Sequence, residues 1–229
     1  LNAMIKQFIQ ACASVFFDKN RFKAKLRERY VGKTSFAAID LELTSLQPSK
    51  TQITSLGYVE GKGMRISLAS SGYHVINTRA DLGQSPVIHG LTQDILERGE
   101  ELDEALRHLL PLLKRNILIF HNAKLDLMAL DRAFKQNNLQ TVEVIYIDTL
   151  QLALYQLNKQ HQVLPNNSAT LTVCRQRLDL PAFPAHNALD DALATLQLFF
   201  AQLNELGITG EDSLKALLHT KAVGQYQLG

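Results

Sequence analysis

One stretch constrains the chain more than any other: Phe36-Ala37-Ala38-Ile39, a short apolar run that ends in Asp40-Leu41-Glu42-Leu43-Thr44. An apolar run of this length reads as a strand. Strand side chains alternate between faces with period 2, so Asp40 and Glu42 point the same way. Two carboxylates side by side repel. A strand end running into solvent would tolerate that repulsion, and a shared divalent cation would remove it. Hard oxygen ligands of this kind suit Mg²⁺ or Mn²⁺.

Two further stretches favour the second reading. Leu118-Ile119-Phe120-His121-Asn122-Ala123-Lys124-Leu125-Asp126 is another apolar strand, running into a helix that carries Asp126. His186-Asn187-Ala188-Leu189-Asp190-Asp191 sets a histidine five residues before an acid at the opening of a long helix. With these three motifs in order, the sequence from about Phe36 to Leu203 resembles the DEDDh-type 3′→5′ exonucleases. That family includes the proofreading subunit of bacterial DNA polymerase III, ribonuclease T and oligoribonuclease.

The resemblance implies roles for particular residues. Asp40, Glu42 and Asp191 would hold one metal ion, Asp40 would bridge to a second, and Asp126 would support that second ion through water. Two Mg²⁺ or Mn²⁺ ions are thus implied. His186 would be the general base, which suits an imidazole that titrates near neutral pH. The family's His-x-Ala-x-x-Asp spacing selects Asp191 over its neighbour Asp190. Consecutive helix residues point about 100° apart, so the two cannot serve equally. Leu46 would wedge against the terminal base, and Ile88 and His89 would touch its sugar and base. A buried Leu46 or a turn-forming His89 is the competing reading. The family's usual Asp-x-Glu-Thr-Thr-Gly carries Leu43 and Ser45 here in place of its first threonine and its glycine. That departure leaves the ligands intact and bears on how closely the backbone meets the terminal nucleotide.

Other polar residues near the motifs have structural readings. His121 and Asn122 read as structural, and Asp148 as the cap of the helix that follows it. Gln197-Leu198-Phe199-Phe200 has the look of a clamp-docking motif, but it falls mid-helix where Leu198 and Phe199 belong in the core.

The activity implied is metal-dependent hydrolysis at the 3′ end of single-stranded or frayed nucleic acid, DNA ahead of RNA, releasing nucleoside 5′-monophosphates. The alternatives are an RNA-processing exoribonuclease of the same family and a non-catalytic module that binds nucleic acid or a partner. Charge agrees with a polyanionic substrate. The net charge of +2 conceals +6 over residues 1–36 and −4 over the rest. Such a basic arm suits phosphate contacts, and equally a solvated helix face. It also offers a surface for a polymerase or a second copy of the chain.

At 229 residues, a chain of this size buries roughly 70% of its unfolded surface, so a substantial core is expected. Cys12 and Cys174 are too far apart in sequence to suggest a disulfide framework or a zinc spacing, which points to a reducing compartment. No apolar run reaches membrane-spanning length, so a cytoplasmic protein with no membrane partner is expected.

Periodicity supplies the rest of the outline. A broken amphipathic helix covers Ile5 to about Tyr30, and three strands over Gln52–Val59, Met64–Ala69 and Tyr73–Thr78 follow the first. A helix over Glu100–Lys114 should bend or end at Pro111. Strand and helix then alternate: Ile117–Phe120, Lys124–Gln136, Val142–Ile147, Leu150–Leu157, Ala169–Leu178 and Ala188–Leu206. Antiparallel strands followed by alternating helices and strands argue an α/β fold with a mixed sheet flanked by helices. The resembled family has this ribonuclease-H-like order. The expected parts are a basic helical extension over 1–34, an exonuclease domain over 35–206 and a helical tail over 207–229 packed on it.

Overall fold

The computed structural model describes residues 20–45, 51–78, 91–160, 168–184 and 186–229. Its centre is a six-stranded mixed sheet in the order β3-β2-β1-β4-β5-β6. The strands are β1 (Ser35–Leu43), β2 (Ile53–Lys62), β3 (Arg65–Val75), β4 (Ile117–Phe120), β5 (Val142–Asp148) and β6 (Val223–Leu228). β1 pairs antiparallel with β2 and parallel with β4. The helices are α1 (Gln93–Leu96), α2 (Leu102–Arg115), α3 (Ala123–Gln136), α4 (Thr149–Gln160), α5 (Leu171–Arg177) and α6 (Ala188–Glu205). This is the α/β, ribonuclease-H-like mixed sheet with flanking helices that the sequence implies.

Period 2 along β1 divides the core. Ala37, Ile39 and Leu41 face the layer containing Leu106, Leu109, Leu130 and Phe134 of α2 and α3. Phe36 and Ala38 face the layer built by Leu196, Phe199 and Leu203 of α6. Phe36 meets Phe199 edge-on, with ring centroids 5.2 Å apart. Asp40 and Glu42 continue the Phe36–Ala38 row, which puts them on the α6 side of the sheet. Leu198 and Phe199 are fully buried, so a clamp-docking role for the Gln197–Phe200 run is ruled out.

Three elements differ from the sequence expectation. In place of strands over Met64–Ala69 and Tyr73–Thr78, a single strand β3 runs through Ser70-Ser71-Gly72. The turn-like residues form a bulge: Val59 pairs with Ser71 while Glu60 pairs with Ser67. The Ser71 hydroxyl donates to the Leu68 carbonyl at 2.7 Å, closing the extra residues locally. Secondly, α2 continues to Arg115 with Pro111 inside it. Leu109, Leu112 and Leu113 are buried on either side of the proline, and that packing outweighs its missing N–H.

Thirdly, the tail is not only helical. After a 3₁₀ segment over Leu214–Thr220, β6 pairs antiparallel with β5 from Val142↔Leu228 to Ile147↔Val223. Val223-Gly-Gln-Tyr-Gln-Leu is too short and polar to announce a strand. The open edge of β5 supplies the ladder that its own pattern does not. At the other end of the chain, residues 20–27 are helical, and Leu26 and Val31 are fully buried in the α6-side layer. The described part of the basic arm therefore packs on the body, with Lys25 paired to Glu143.

Candidate active site

The site lies where the two central parallel strands end. β1 pairs with β4 only over Phe36–Ala38, so Asp40 to Leu43 project past the end of that ladder. In open α/β sheets, crevices at the carboxyl ends of strands near a reversal of order are where ligands bind. Here β2 and β4, the neighbours of β1, run in opposite directions.

Asp40, Glu42 and Asp191 each offer a carboxylate oxygen, and these atoms all lie within 4.8 Å of one another. Asp191 stands in the first turn of α6, whose start is fixed by Asn187. The Asn187 Oδ1 accepts from Leu189 N at 3.0 Å and Asp190 N at 3.3 Å. Asp190 belongs to this capping arrangement and is not among the three clustered acids.

Asp126 approaches from the other side, in the first turn of α3, and is buried. Its carboxyl is pushed up to about 8, chiefly by burial and further by Asp148 and Glu42, while backbone hydrogen bonds from Leu41 and its own N–H hold it down. The carboxyl of Asp40 is also driven well above the usual carboxylate range, first by burial and then by the charges of Asp126, Asp191 and Glu42. Thus Asp40 feels the charge of the other three acids, and Asp126 that of Glu42, at one strand end. The donor set is entirely hard oxygen, which fits Mg²⁺ or Mn²⁺.

The raised Asp126 carboxyl makes stability depend on pH. A raised folded-state value contributes stability below the ordinary value of 3.8 that is lost as pH rises through about 8. In chelator, the melting temperature should fall across that window. Asp126→Asn should flatten the fall, and Mn²⁺ should oppose it. A wild-type slope unchanged by Asp126→Asn in thermal melts would contradict the assignment.

His186 is exposed, and its backbone N–H donates to Asp191 Oδ2 at 3.1 Å. Its φ of 67° lies in the left-handed region, uncommon outside glycine. The histidine is therefore tied by its main chain to one of the clustered acids, and its ring is not buried in the core.

Gly57 is the component that the sequence did not single out. It pairs with Asp40 across β1 and β2, and a Cβ there would lie 2.2 Å from the Ala188 carbonyl carbon and 2.3 Å from Leu189 N. Only a bare backbone lets the first turn of α6 settle against the sheet, and that approach carries Asp191 to Asp40. An isolated glycine inside a strand pattern is the signal that could have found it. Gly57→Ala is expected to shift α6 outward and reduce divalent-ion affinity by at least about tenfold, measured by calorimetry. Unchanged affinity would show that the helix does not set the Asp191 position.

The neighbouring polar residues have structural work. Asp148 accepts from Asn122 N at 3.0 Å and Ala123 N at 3.1 Å as well as from Leu150 N at 2.9 Å. It thus caps α3 as well as the following α4, which is more than the sequence suggested. His121 is held between Thr149 Oγ1 at 2.8 Å and the Ala169 carbonyl at 3.0 Å. Burial lowers its pKa to about 4, so it is neutral at ordinary pH. Leu46, Ile88 and His89, the expected nucleotide contacts, lie outside the described residues.

Residues 37–199 match the RNase_T family, described as exonuclease. A DNA polymerase III PolC-type protein of Thermotoga maritima is 31% identical over 194 residues, covering 82% of this chain. The 3′-5′ exonuclease DinG of Staphylococcus haemolyticus is 28% identical over 203 residues, covering 86%. This chain spans only 14% and 21% of those two proteins' lengths. Among solved structures, cell-death related nuclease 4 superposes with a TM-score of 0.66 at 13% identity, covering 88% of this chain and 83% of that one. Exonuclease X in complex with 5′ overhanging duplex DNA gives 0.57 at 18% identity, covering 79% and 98%. Family match, fold and clustered carboxylates agree: the chain belongs to the RNase_T exonuclease family.

Proposed function

We propose that this chain is a metal-dependent 3′→5′ exonuclease that hydrolyses the terminal phosphodiester of single-stranded or frayed nucleic acid and releases nucleoside 5′-monophosphates. The observation that carries this reading is the Asp40–Glu42–Asp191 cluster with Asp126 beside it. Asp40, Glu42 and Asp191 would hold one divalent ion, with Asp40 and Asp126 serving a second. When bound, such a pair supplies a nucleophile from water and stabilises charge on the attacking and leaving oxygens. His186 takes the proton of the attacking water from its exposed position at the start of α6. What supports this role is that the His186 backbone N–H is held to the Asp191 carboxylate, which tethers the residue at the site.

The surface proposed for the strand is a cleft of about 580 Å³ beside the first turn of α3, lined by Lys124, Lys221, Tyr146 and Tyr226 and by none of the four acids. Cations with neighbouring aromatic rings suit a single strand, whose phosphates and base faces they meet together. The reading takes DNA ahead of RNA, and its support is that the relatives named above include PolC-type DNA polymerases. A polymerase or a second copy is the partner proposed for the basic arm, and the cytoplasm the proposed compartment.

The test is digestion of DNA and RNA oligomers of one sequence, labelled at either end, with Mg²⁺, Mn²⁺ or chelator. Metal-dependent release of 5′-monophosphates from the 3′ end is expected, faster on DNA. Binding without hydrolysis of either polymer in both metals would overturn the enzymatic reading.

A further inference from the structure

A second group of metal-ligating side chains lies on the opposite face of the sheet from the carboxylates. Leu41, Leu56 and His74 are partners across β1, β2 and β3, so His74 points to the α2 side, away from Asp40 and Glu42. There His74, Glu100 and His108 each present a ligand atom, all within 4.8 Å of one another. His74 Nδ1 lies 2.6 Å from Glu100 Oε1, and His108 Nδ1 lies 3.9 Å from Glu100 Oε2.

The three residues come from separate pieces of chain, and the main chain fixes two of them. Glu100 N donates to the Val75 carbonyl at 2.9 Å, and Asn77 N donates to the Glu100 carbonyl at 2.8 Å, so Glu100 is stitched to the end of β3 next to His74. The His74 ring stacks on Tyr58 at 6.0 Å between centroids, which sets its plane. His108 projects from the second turn of α2, with its side chain 59% exposed and its ring 5.9 Å from that of His74 between centroids.

A His74–Glu100 hydrogen bond accounts for one carboxylate oxygen only. The 3.9 Å separation at the other is too long for a hydrogen bond. Ligand atoms around a tetrahedral zinc ion stand about 3.3 Å apart, given metal–ligand distances near 2.0–2.2 Å. The two observed separations run to different oxygens of Glu100 and fall on either side of that value, so rotation of His108 must bring its ring to the oxygen that serves as ligand. Two imidazoles and one carboxylate are borderline ligands that favour Zn²⁺ over Mg²⁺.

From this geometry we infer that His74, Glu100 and His108 form a Zn²⁺ site distinct from the carboxylate centre, with a fourth position left to water. Zinc there ties the edge strand β3 to the start of α2. Its role is that of a staple, acting on stability and not on the bond being cut.

The test uses the full chain carrying Asp40→Asn and Asp191→Asn, so that zinc uptake by the carboxylates does not enter the measurement. Calorimetry with Zn²⁺ alone should then give one ion bound per chain and a raised melting temperature. Adding His108→Ala, an exposed substitution that leaves the core untouched, should weaken Zn²⁺ by more than about 100-fold and abolish the thermal shift. His74→Ala should do the same. Zinc uptake that survives both histidine changes, or no uptake in the parent double variant, would overturn the proposal. Neither result bears on the exonuclease reading, which rests on the other face of the sheet.

Discussion

Alanine at Asp40, or at Asp191, is expected to lower hydrolysis by more than about 10³-fold while leaving the fold in place. Both carboxylates belong to the group whose oxygens lie within 4.8 Å of one another, so on the proposed reading each loss removes a direct ligand. Survival of the fold follows from the backbone. β1 is held by its ladders to β2 and β4, and the α6 start by Asn187, and neither arrangement needs the carboxylate at 40 or 191. Because Asp126, Asp191 and Glu42 all disfavour the charge on Asp40, removing one acid in chelator should leave the melting temperature unchanged or raise it. Rates, divalent-ion affinity and melts on the same variants check this. Activity retained within tenfold in both, with metal present, would sink the assignment of these carboxylates as ligands.

What could be read in the sequence was what local chemistry writes there. Asp40 and Glu42 were placed together by the two-residue period of a strand, and β1 does put them on one face. Asp191 was separable from Asp190 because helix geometry sends them in different directions and the resembled family's spacing from its histidine selects one. The misreadings arise where partners distant in sequence decide. Ser70-Ser71-Gly72 has turn composition, yet β2 supplies a ladder on both sides of it, and the extra residues become a bulge. Val223–Leu228 carries almost no strand signal alone and becomes one because β5 presents an open edge. The double capping by Asp148 and the close approach at Gly57 each depend on two elements meeting. At Gly57 the sequence offers only the hint of a lone glycine in a strand, and neither residue names the element it meets.

His186→Ala is expected to lower the rate by about 10²–10⁴-fold, less than loss of a ligand, because on the proposed reading it is a general base that assists a reaction the metal ions would already promote. The contact that ties residue 186 to Asp191 is a main-chain N–H, so alanine keeps it and removes only the imidazole. Because the histidine is exposed, the melting temperature should move little, as surface substitutions alter stability by no more than about 0.5 kcal/mol. Oligonucleotide affinity should likewise hold, and the loss should appear in kcat, since the proton moves only in the transition state. The residual rate should climb with pH as hydroxide replaces the missing base. Single-turnover rates across pH, affinity and melts on one preparation distinguish this from a structural histidine, whose loss would lower stability and leave the pH profile unchanged. A wild-type rate per folded molecule would remove His186 from the mechanism and leave the chemistry to the four acids.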